Sequence, residues 1–144
     1  MNESADQKLE RARKAFASVA YGKFLGLELC ELKSGEVSVC LDVREDLKQN
    51  QGVVHGGAVA SLIDTAAAFV ILTELPLTER VTTTDLTIHY LRPITEGRLL
   101  AKAKIVRGGR RIFVVNVEVT NAGRLVATAI TSYLKLQQNA QNSQ

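Results

Sequence analysis

The stretch NQGVVHGGAVASLIDTAAAFVILTELP, residues 50–76, decides the fold because it reads as one long helix with apolar residues on nearly every side. The pattern predicts a helix over residues 56–74, ended by Pro76 because proline cannot continue a helix. A helix of this kind must be covered all round. A six-stranded antiparallel sheet that curls about it would provide this cover, so we expect an α+β fold rather than a parallel α/β fold.

The remaining sequence predicts one short helix and six strands. Residues 6–20 carry apolar side chains at helical spacing, and Tyr21-Gly22 is expected to end this helix. Alternating and β-branched runs predict the strands, which cover residues 25–33, 36–43, 80–91, 98–107, 111–120 and 124–136. We therefore predict an N-terminal helical segment over 1–22, one domain over 23–136 and a disordered tail over 137–144.

Composition excludes several classes of protein. At 144 residues the chain is expected to form one domain, and its net charge of +3 is too small and too scattered to indicate nucleic-acid binding. The N-terminus lacks the apolar core of a signal peptide, and the longest apolar run is too interrupted to span a membrane. No Cys/His spacing indicates a metal site. These features predict a cytoplasmic protein that needs no metal.

The two cysteines are expected to be free structural thiols. If Ser34-Gly35 forms a two-residue hairpin turn, Cys30 lies opposite Val39 and Cys40 lies opposite Leu29. Successive residues of a strand point to opposite faces, so this register places the two thiols on different sides of the sheet. We therefore predict that they do not form a disulfide.

Asp64 is the anomaly of the central helix, because apolar residues flank it on all sides. An ionised carboxylate there costs several kcal/mol unless it is paired, hydrogen-bonded or open to a cavity. A desolvated carboxylate is also suited to act as a general base or a nucleophile. The position therefore favours a catalytic role over a surface role.

The start of the same helix is a second candidate feature. Gly56 and Gly57 leave main-chain N–H groups uncovered by side chains, and the helix dipole adds partial positive charge there. Such an end can hold a developing oxyanion. Eight residues separate Gly56 from Asp64, which is roughly 12 Å along one helix. One helix therefore cannot bring both groups to one carbonyl, whereas two antiparallel copies related by a two-fold axis can, so we predict a dimer with paired sites.

These residues resemble the active-site segment of hotdog-fold acyl-CoA thioesterases of the phenylacetate-degradation (PaaI) type. The resemblance rests on HGG at 55–57 with Asp64 following, on QNQGVV at 49–54 and on TTDLTIHYLRP at 83–93. It also includes GRL at 97–99, GR at 109–110 and GRLVATA at 123–129. It implies a sheet wrapped round the central helix, subunits that join their sheets into homodimers, and homotetramers built from these dimers.

The resemblance also implies roles for individual residues. Asp64 matches the acidic residue that acts as general base toward water or as nucleophile on the thioester. Gly56 matches the glycine whose N–H polarises the thioester carbonyl, and His55 matches the histidine that helps to position the loop and the thioester. Thr83 matches a hydroxyl residue that helps to hold the attacking water. Gly57 is expected to contact substrate beside Gly56.

One position departs from the family pattern. Family members commonly carry Asn six residues before the histidine, where this sequence has Gln49 and then Asn50. Either amide could orient water or the carboxylate, because both present a donor and an acceptor. Both residues are therefore candidates for this role.

Arginines surround the Gly108-Gly109 dipeptide, which predicts a tight hairpin turn. Some of them could meet the phosphates of coenzyme A, and we assign Gly109 and Arg110 to substrate binding. A solvated hairpin end is the alternative. The expected acyl pocket is apolar and would be lined by Phe24, Leu25, Phe69, Leu72 and Leu75.

The leading prediction is an acyl-CoA thioesterase that releases a free acid and coenzyme A, with no cofactor other than the coenzyme A of its substrate. The alternative is a hotdog module that binds acyl-CoA without turnover. A hotdog dehydratase is less favoured, because it would need a His/Asp or His/Glu pair across the site.

Overall fold

The computed structural model describes residues 2–137, which form three helices and one six-stranded sheet. The helices are α1 (Ala5–Ser18), α2 (Ala20–Leu25) and α3 (Gly56–Leu72), and a short 3₁₀ turn covers Glu45–Leu47. The strands are β1 (Glu28–Lys33), β2 (Glu36–Asp42), β3 (Glu79–Tyr90), β4 (Arg98–Gly108), β5 (Ile112–Asn121) and β6 (Arg124–Gln137). Every neighbouring pair is antiparallel, in the order β1-β2-β4-β5-β6-β3, which confirms the predicted α+β fold.

The central helix α3 lies against the inner face of the sheet, as its apolar pattern predicts. Small residues make room for it, because close packing leaves little space between a helix and a sheet. The inner face of β4 carries Ala101 and Ala103, that of β6 carries Ala127 and Ala129, and all four are buried. The helix contributes buried residues along most of its length, namely Val59, Leu62, Ile63, Ala66, Ala67, Phe69, Val70 and Ile71.

Side-chain hydrogen bonds mark both ends of α3. His55 is the N-cap, and its Nδ1 accepts from the Gly57 N–H at 2.8 Å. At the other end the Thr73 hydroxyl donates to the Val70 carbonyl at 2.6 Å and accepts from the Gly35 N–H at 2.9 Å. The helix therefore ends at Leu72, two residues before the predicted end and four before Pro76. Within residues 2–137 no helix has the length and apolar character that a membrane span needs.

The N-terminal helix α1 begins with a capping box, in which Ser4 and Gln7 satisfy each other's main-chain N–H groups. It packs on the second half of α3 through an edge-to-face contact of Phe16 with Phe69, at 5.0 Å between ring centroids. The prediction that Tyr21-Gly22 ends this helix was wrong. The break lies at Val19, whose backbone is extended, and both residues belong to α2.

The structure joins Cys30 and Cys40 in a disulfide, so the prediction of two free thiols was wrong. The Ser34-Gly35 turn is correct, since Lys33 pairs with Glu36, but a β-bulge follows along β1. Cys30 is the extra residue, so Leu29 rather than Cys30 lies opposite Val39. The bulge moves the Cys30 side chain to the face that carries Cys40, at a Cα–Cα distance of 6.3 Å that suits a disulfide.

Of the predicted tail 137–144, Gln137 is the last residue of β6, and residues 138–144 lie outside the described residues.

Candidate active site

Asp64 lies on α3 at a half-buried position where the helix passes β3 and β6. Its Oδ1 accepts a hydrogen bond from the Thr83 hydroxyl at 3.0 Å. The Tyr133 hydroxyl lies 2.5 Å from the same oxygen and 2.9 Å from the main-chain carbonyl oxygen of Asp64. The carboxylate is thus held by hydroxyl groups from two strands, and no basic side chain of the described residues forms a salt bridge with it.

A β-bulge in β3 brings Thr83 to the helix side of the sheet. Thr83 pairs with Tyr133, whereas Asp85 pairs with Ser132, so Thr84 is the extra residue. Without the bulge, simple alternation would send Thr83 and Tyr90, seven residues apart, to opposite faces. With it, both point toward α3, where Thr83 meets Asp64 and Tyr90 meets Gly56.

Hydroxyl groups from both strands stabilise this bulge. The buried Thr131 hydroxyl donates to the main-chain carbonyl of Asp85 at 2.8 Å. The Thr84 hydroxyl donates to the main-chain carbonyl of Ser132 at 3.0 Å. The bulge is therefore a fixed feature of this edge of the sheet.

The sequence analysis missed Tyr133, which is almost fully buried at 2 % exposure. Burial raises the pKa of its hydroxyl above the ordinary value of 10.0, and the adjacent Asp64 carboxylate raises it further. The hydroxyl therefore remains a protonated donor throughout the neutral range. The available signal was its place in β6, where it continues the inward series Ala127, Ala129 and Thr131.

The two glycines at the N-terminus of α3 differ, because within the described residues the Gly57 N–H is hydrogen-bonded and the Gly56 N–H is not. The Gly57 N–H donates to His55 Nδ1, so His55 acts as a helix cap and Gly57 is not available as a donor to substrate. The Gly56 N–H has no acceptor among residues 2–137, and the Tyr90 hydroxyl donates to the Gly56 carbonyl at 2.8 Å. The half-buried Gly56 N–H is thus left without a partner from this part of the chain at the start of the helix, a position where main-chain N–H groups can bind an anion.

The loop before α3 contains the two candidate amides. Gln49 is half-buried and its Oε1 accepts from the Gln51 N–H at 3.1 Å, while its main chain closes the turn to Gly52 and Val53. Asn50 is exposed. Neither amide reaches Asp64 within one chain, so their roles stay predictions.

The β4–β5 hairpin carries the basic residues at the end of the sheet that also holds Thr83 and Tyr133. Its tip is Gly109-Arg110-Arg111 rather than the predicted Gly108-Gly109, because β4 continues through Gly108 and the Gly109 N–H donates to the Ile112 carbonyl at 2.9 Å. The next buried residue, Phe113, pairs with Tyr133 across the sheet. Arg110 is exposed.

A pocket of about 330 Å³ lies beside the α3 N-terminus. Mostly apolar side chains line it together with Gly56, namely Val53, Val54, Val59, Tyr90, Leu91, Arg92, Pro93 and Ile94. The predicted acyl pocket is not formed within the chain, since Leu25, Phe69 and Leu75 lie in the core and Phe24 is 75 % exposed. A larger open groove, of about 1100 Å³, lies between α1 and residues 76–78 and contains none of the predicted site residues.

In the part of the chain that the structure describes, no three His, Cys, Asp or Glu side chains come together as a metal site would require. The site brings together a carboxylate, hydroxyls and a main-chain N–H. Groups of these kinds can support attack on a carbonyl and stabilise the resulting oxyanion.

Comparison with known proteins gives consistent relatives. A family model described as the thioesterase superfamily matches residues 51–128. The medium/long-chain acyl-CoA thioesterase YigI of Salmonella typhimurium is 28% identical over 148 residues, which cover 91% of this chain and 96% of that protein.

Two solved structures of PaaI proteins share the fold. The Escherichia coli PaaI protein from the phenylacetic acid degradation operon has a TM-score of 0.85 and 25% identity, covering 92% of this chain and 96% of that one. A mutant of the phenylacetic acid degradation protein PaaI of Thermus thermophilus has a TM-score of 0.77 and 31% identity, covering 82% of this chain and 100% of that one. With its family model matched over more than half its length and its fold shared with these neighbours, the chain belongs to the thioesterase superfamily, has the hotdog fold and is a thioester hydrolase.

Proposed function

We propose that the chain hydrolyses acyl-CoA thioesters to a free carboxylic acid and coenzyme A, with Asp64 as the group that activates water. The observation that carries this proposal is the half-buried Asp64 carboxylate, whose Oδ1 is held by Thr83 and Tyr133. A fixed carboxylate in partly apolar surroundings is suited to take a proton from water. The name of the relative YigI, a medium/long-chain acyl-CoA thioesterase, supports the same substrate class.

The reaction follows from the groups present. Asp64 accepts a proton from water while the water oxygen forms a bond to the thioester carbonyl carbon, and the carbonyl oxygen becomes an oxyanion. The Gly56 N–H donates to that oxyanion, because it has no acceptor within residues 2–137 and lies at the positive end of the α3 dipole. Collapse of the tetrahedral intermediate breaks the C–S bond, and the leaving coenzyme A thiolate takes up the proton that Asp64 received from water, which restores the carboxylate.

The oxyanion donor has to come from a second copy of the chain. Gly56 and Asp64 are separated by roughly 12 Å along α3, whereas both must lie within about 3 Å of one reacting centre. Strand β3 supports a way to pair the copies, because it is a twelve-residue strand at one edge of the sheet. Joining two β3 edges antiparallel would continue the sheet and set the two α3 helices side by side. A homodimer is therefore the smallest active unit in this proposal, and a homotetramer would be a pair of such dimers.

The basic hairpin tip supports coenzyme A as the leaving group. Arg107, Arg110 and Arg111 lie at the end of the sheet that holds Thr83 and Tyr133, where β5 is two strand spacings from β3 and β4, which carries Arg107, is three. Neighbouring strands are about 4.8 Å apart, so the arginines are within reach of the far end of an extended substrate. Guanidinium groups bind phosphate by paired hydrogen bonds, which suits the phosphates of coenzyme A.

A thiol-release assay over short, long and aryl acyl-CoAs tests the proposal. The wild-type protein should release coenzyme A from at least one class of acyl-CoA. Asp64→Asn should lower kcat on the order of 10³-fold, because the amide cannot accept the proton from water. Its circular dichroism and its binding of acyl-CoA should stay close to those of the wild type.

Asp6→Asn is the control, since Asp6 is an exposed aspartate in the first turn of α1 whose side chain forms no hydrogen bond or salt bridge within the described residues. It should keep wild-type turnover. Full activity in Asp64→Asn would remove Asp64 from the mechanism. Binding of acyl-CoA by the wild type without thiol release from any substrate would instead favour the non-catalytic binding module.

The carboxylate can serve as a general base or as a nucleophile that forms a mixed anhydride, and isotope labelling separates these roles. A single turnover in ¹⁸O water places the label in the product acid if water attacks the thioester directly. If Asp64 attacks first and water then attacks its carbonyl carbon, the label enters Asp64. Mass spectrometry of the protein after one turnover distinguishes the two results.

A further inference from the structure

We propose that Tyr133 is a positioning residue of the active site, which fixes Oδ1 of Asp64 so that Oδ2 alone receives the proton from water. This inference rests on the proposed function and assigns roles to the two oxygens of the carboxylate. It differs from the role of Thr83 implied by family resemblance, in which the threonine holds the attacking water.

The hydrogen bonds divide the carboxylate into a held oxygen and a free oxygen. Oδ1 accepts from Thr83 at 3.0 Å and lies 2.5 Å from the Tyr133 hydroxyl. Oδ2 has no hydrogen-bond partner among residues 2–137. Hydrogen bonds from two directions to one oxygen stop the rotation of the carboxylate about its last torsion angle, which is otherwise broad. The free oxygen therefore keeps one orientation, as general-base catalysis requires.

The position of the Tyr133 ring explains why this donor is fixed. Tyr133 lies on β6 between its cross-strand partners Thr83 on β3 and Phe113 on β5. Phe113 is also buried, so the tyrosine ring is enclosed in the core and only its hydroxyl meets a polar group. A buried tyrosine hydroxyl needs a hydrogen-bond partner, and here that partner is the reacting carboxylate.

A structural role is the alternative that an experiment has to separate. The Tyr133 hydroxyl also lies 2.9 Å from the main-chain carbonyl oxygen of Asp64, so it could merely tether α3 to the sheet. A tether would affect stability, but it would not change the pH dependence of turnover. A donor to the reacting carboxylate should change it, because hydrogen bonds to a carboxylate favour its ionised form.

The experiment compares Tyr133→Phe and Thr83→Val with the wild type, in the full-length protein and with the best acyl-CoA of the panel. Tyr133→Phe should lower kcat about tenfold to a hundredfold with KM changed less than about threefold, since a hydrogen bond to a charged group is lost. The acid-side midpoint of its kcat/KM profile should move to higher pH. Thr83→Val should move the midpoint in the same direction by a smaller amount, because it removes the longer of the two hydrogen bonds.

Tyr21→Phe is the matched control, because the Tyr21 hydroxyl also bonds a side chain of α3, that of Ser61 at 2.7 Å. It should leave kcat and the pH profile unchanged. Asp64→Asn in the same assay tests the proposed function separately. The positioning role is overturned if Asp64→Asn is inactive while Tyr133→Phe and Thr83→Val both keep the wild-type acid-side midpoint of kcat/KM. This holds whether or not kcat falls in these two variants. If Tyr133→Phe does not fold, Thr83→Val still tests whether hydrogen bonds fix Oδ1, because Thr83 is exposed and its replacement should be tolerated. A wild-type acid-side midpoint of kcat/KM in Thr83→Val would then overturn the inference.

Discussion

The two halves of the candidate site, both on α3, are built in different ways. Around Asp64 the chain supplies hydrogen bonds to one carboxylate oxygen, Oδ1, from Thr83 and the buried Tyr133. Around Gly56 the helix end is open, its N–H has no acceptor in residues 2–137, and only its carbonyl is bonded, by Tyr90. The Asp64 carboxylate is therefore held in place by its own chain, whereas the Gly56 N–H is a donor that nothing in the described part of that chain uses.

This difference explains the proposed division of labour between two subunits. A group that must keep one geometry gains from buried, rigid neighbours. A group that must meet a transient oxyanion has to remain accessible until substrate arrives. In the proposed dimer, each chain gives its fixed carboxylate to one site and its open helix end to the other.

We expect the largest fall in kcat from the loss of a single hydrogen-bond donor when that donor is the Gly56 N–H. Gly56→Pro removes the N–H that we assign to the oxyanion, at the first helical position, where proline is well tolerated. The preceding residue, His55, already has an extended backbone (φ −61°, ψ 133°) that suits a following proline. We expect kcat to fall about 10²- to 10³-fold, as for loss of an oxyanion-hole donor. Steady-state kinetics of thiol release measures this effect.

Gly56→Ala is the control for this change, because it keeps the N–H and adds only a Cβ. That Cβ would lie 3.3 Å from the Tyr90 ring, so the exposed tyrosine has to shift slightly. We expect a smaller loss of activity than in Gly56→Pro. Equal losses in both variants would indicate crowding against Tyr90 and would argue against a catalytic N–H.

The buried Tyr133 hydroxyl beside Asp64 should make the free energy of unfolding depend on pH in the alkaline range. The pKa of Tyr133 is raised above 10.0 by burial and by Asp64, so the native state favours the protonated hydroxyl. Below about pH 10 the tyrosine is protonated in both the native and the unfolded state, so its contribution to stability does not change with pH. Above about pH 10 the unfolded tyrosine loses its proton while the native one keeps it, so this contribution is lost as the pH rises toward the native pKa. Above about pH 10, the wild-type free energy of unfolding should fall by up to about 1.4 kcal/mol per pH unit more steeply than that of Tyr133→Phe.

Urea unfolding of both proteins between about pH 9 and about pH 11 gives these slopes. Tyr21→Phe, which removes an exposed tyrosine, should retain the wild-type slope. Parallel slopes for the wild type and Tyr133→Phe would contradict the burial argument.

The sequence predicted the features that depend on periodicity. The apolar character of residues 56–72 and the alternation of the strands gave the central helix, the six strands and the α+β class. The same reasoning singled out Asp64 and Gly56, because a carboxylate within an apolar helix and glycines at its start are unusual on local grounds alone. These predictions needed only contacts between residues close in the chain.

Two features that the sequence did not predict, the disulfide and the place of Tyr133 in the site, depend on β-bulges. The bulge at Cys30 reversed the predicted faces and allowed the disulfide with Cys40. The bulge at Thr84 brought Thr83 and Tyr133 together beneath Asp64. Strict alternation has no way to place an extra residue, because a bulge is set by how two strands pair and not by the residue types along one strand.

The loop amides should show the smallest effect, and they test whether the open half needs help from the loop before α3. Gln49 is half-buried, and its Oε1 is used by the Gln51 N–H, so its NH₂ group is the part that can reach a water or a carboxylate of the partner subunit. Gln49→Ala should lower kcat/KM several-fold, which corresponds to a loss of less than about 1.4 kcal/mol of transition-state stabilisation. Asn50→Ala, at the exposed neighbouring position, should stay within about twofold of the wild type, since a solvated side chain contributes little to a preorganised site. Thiol-release kinetics of the two variants decides between them, and a larger loss in Asn50→Ala would transfer the amide role to Asn50.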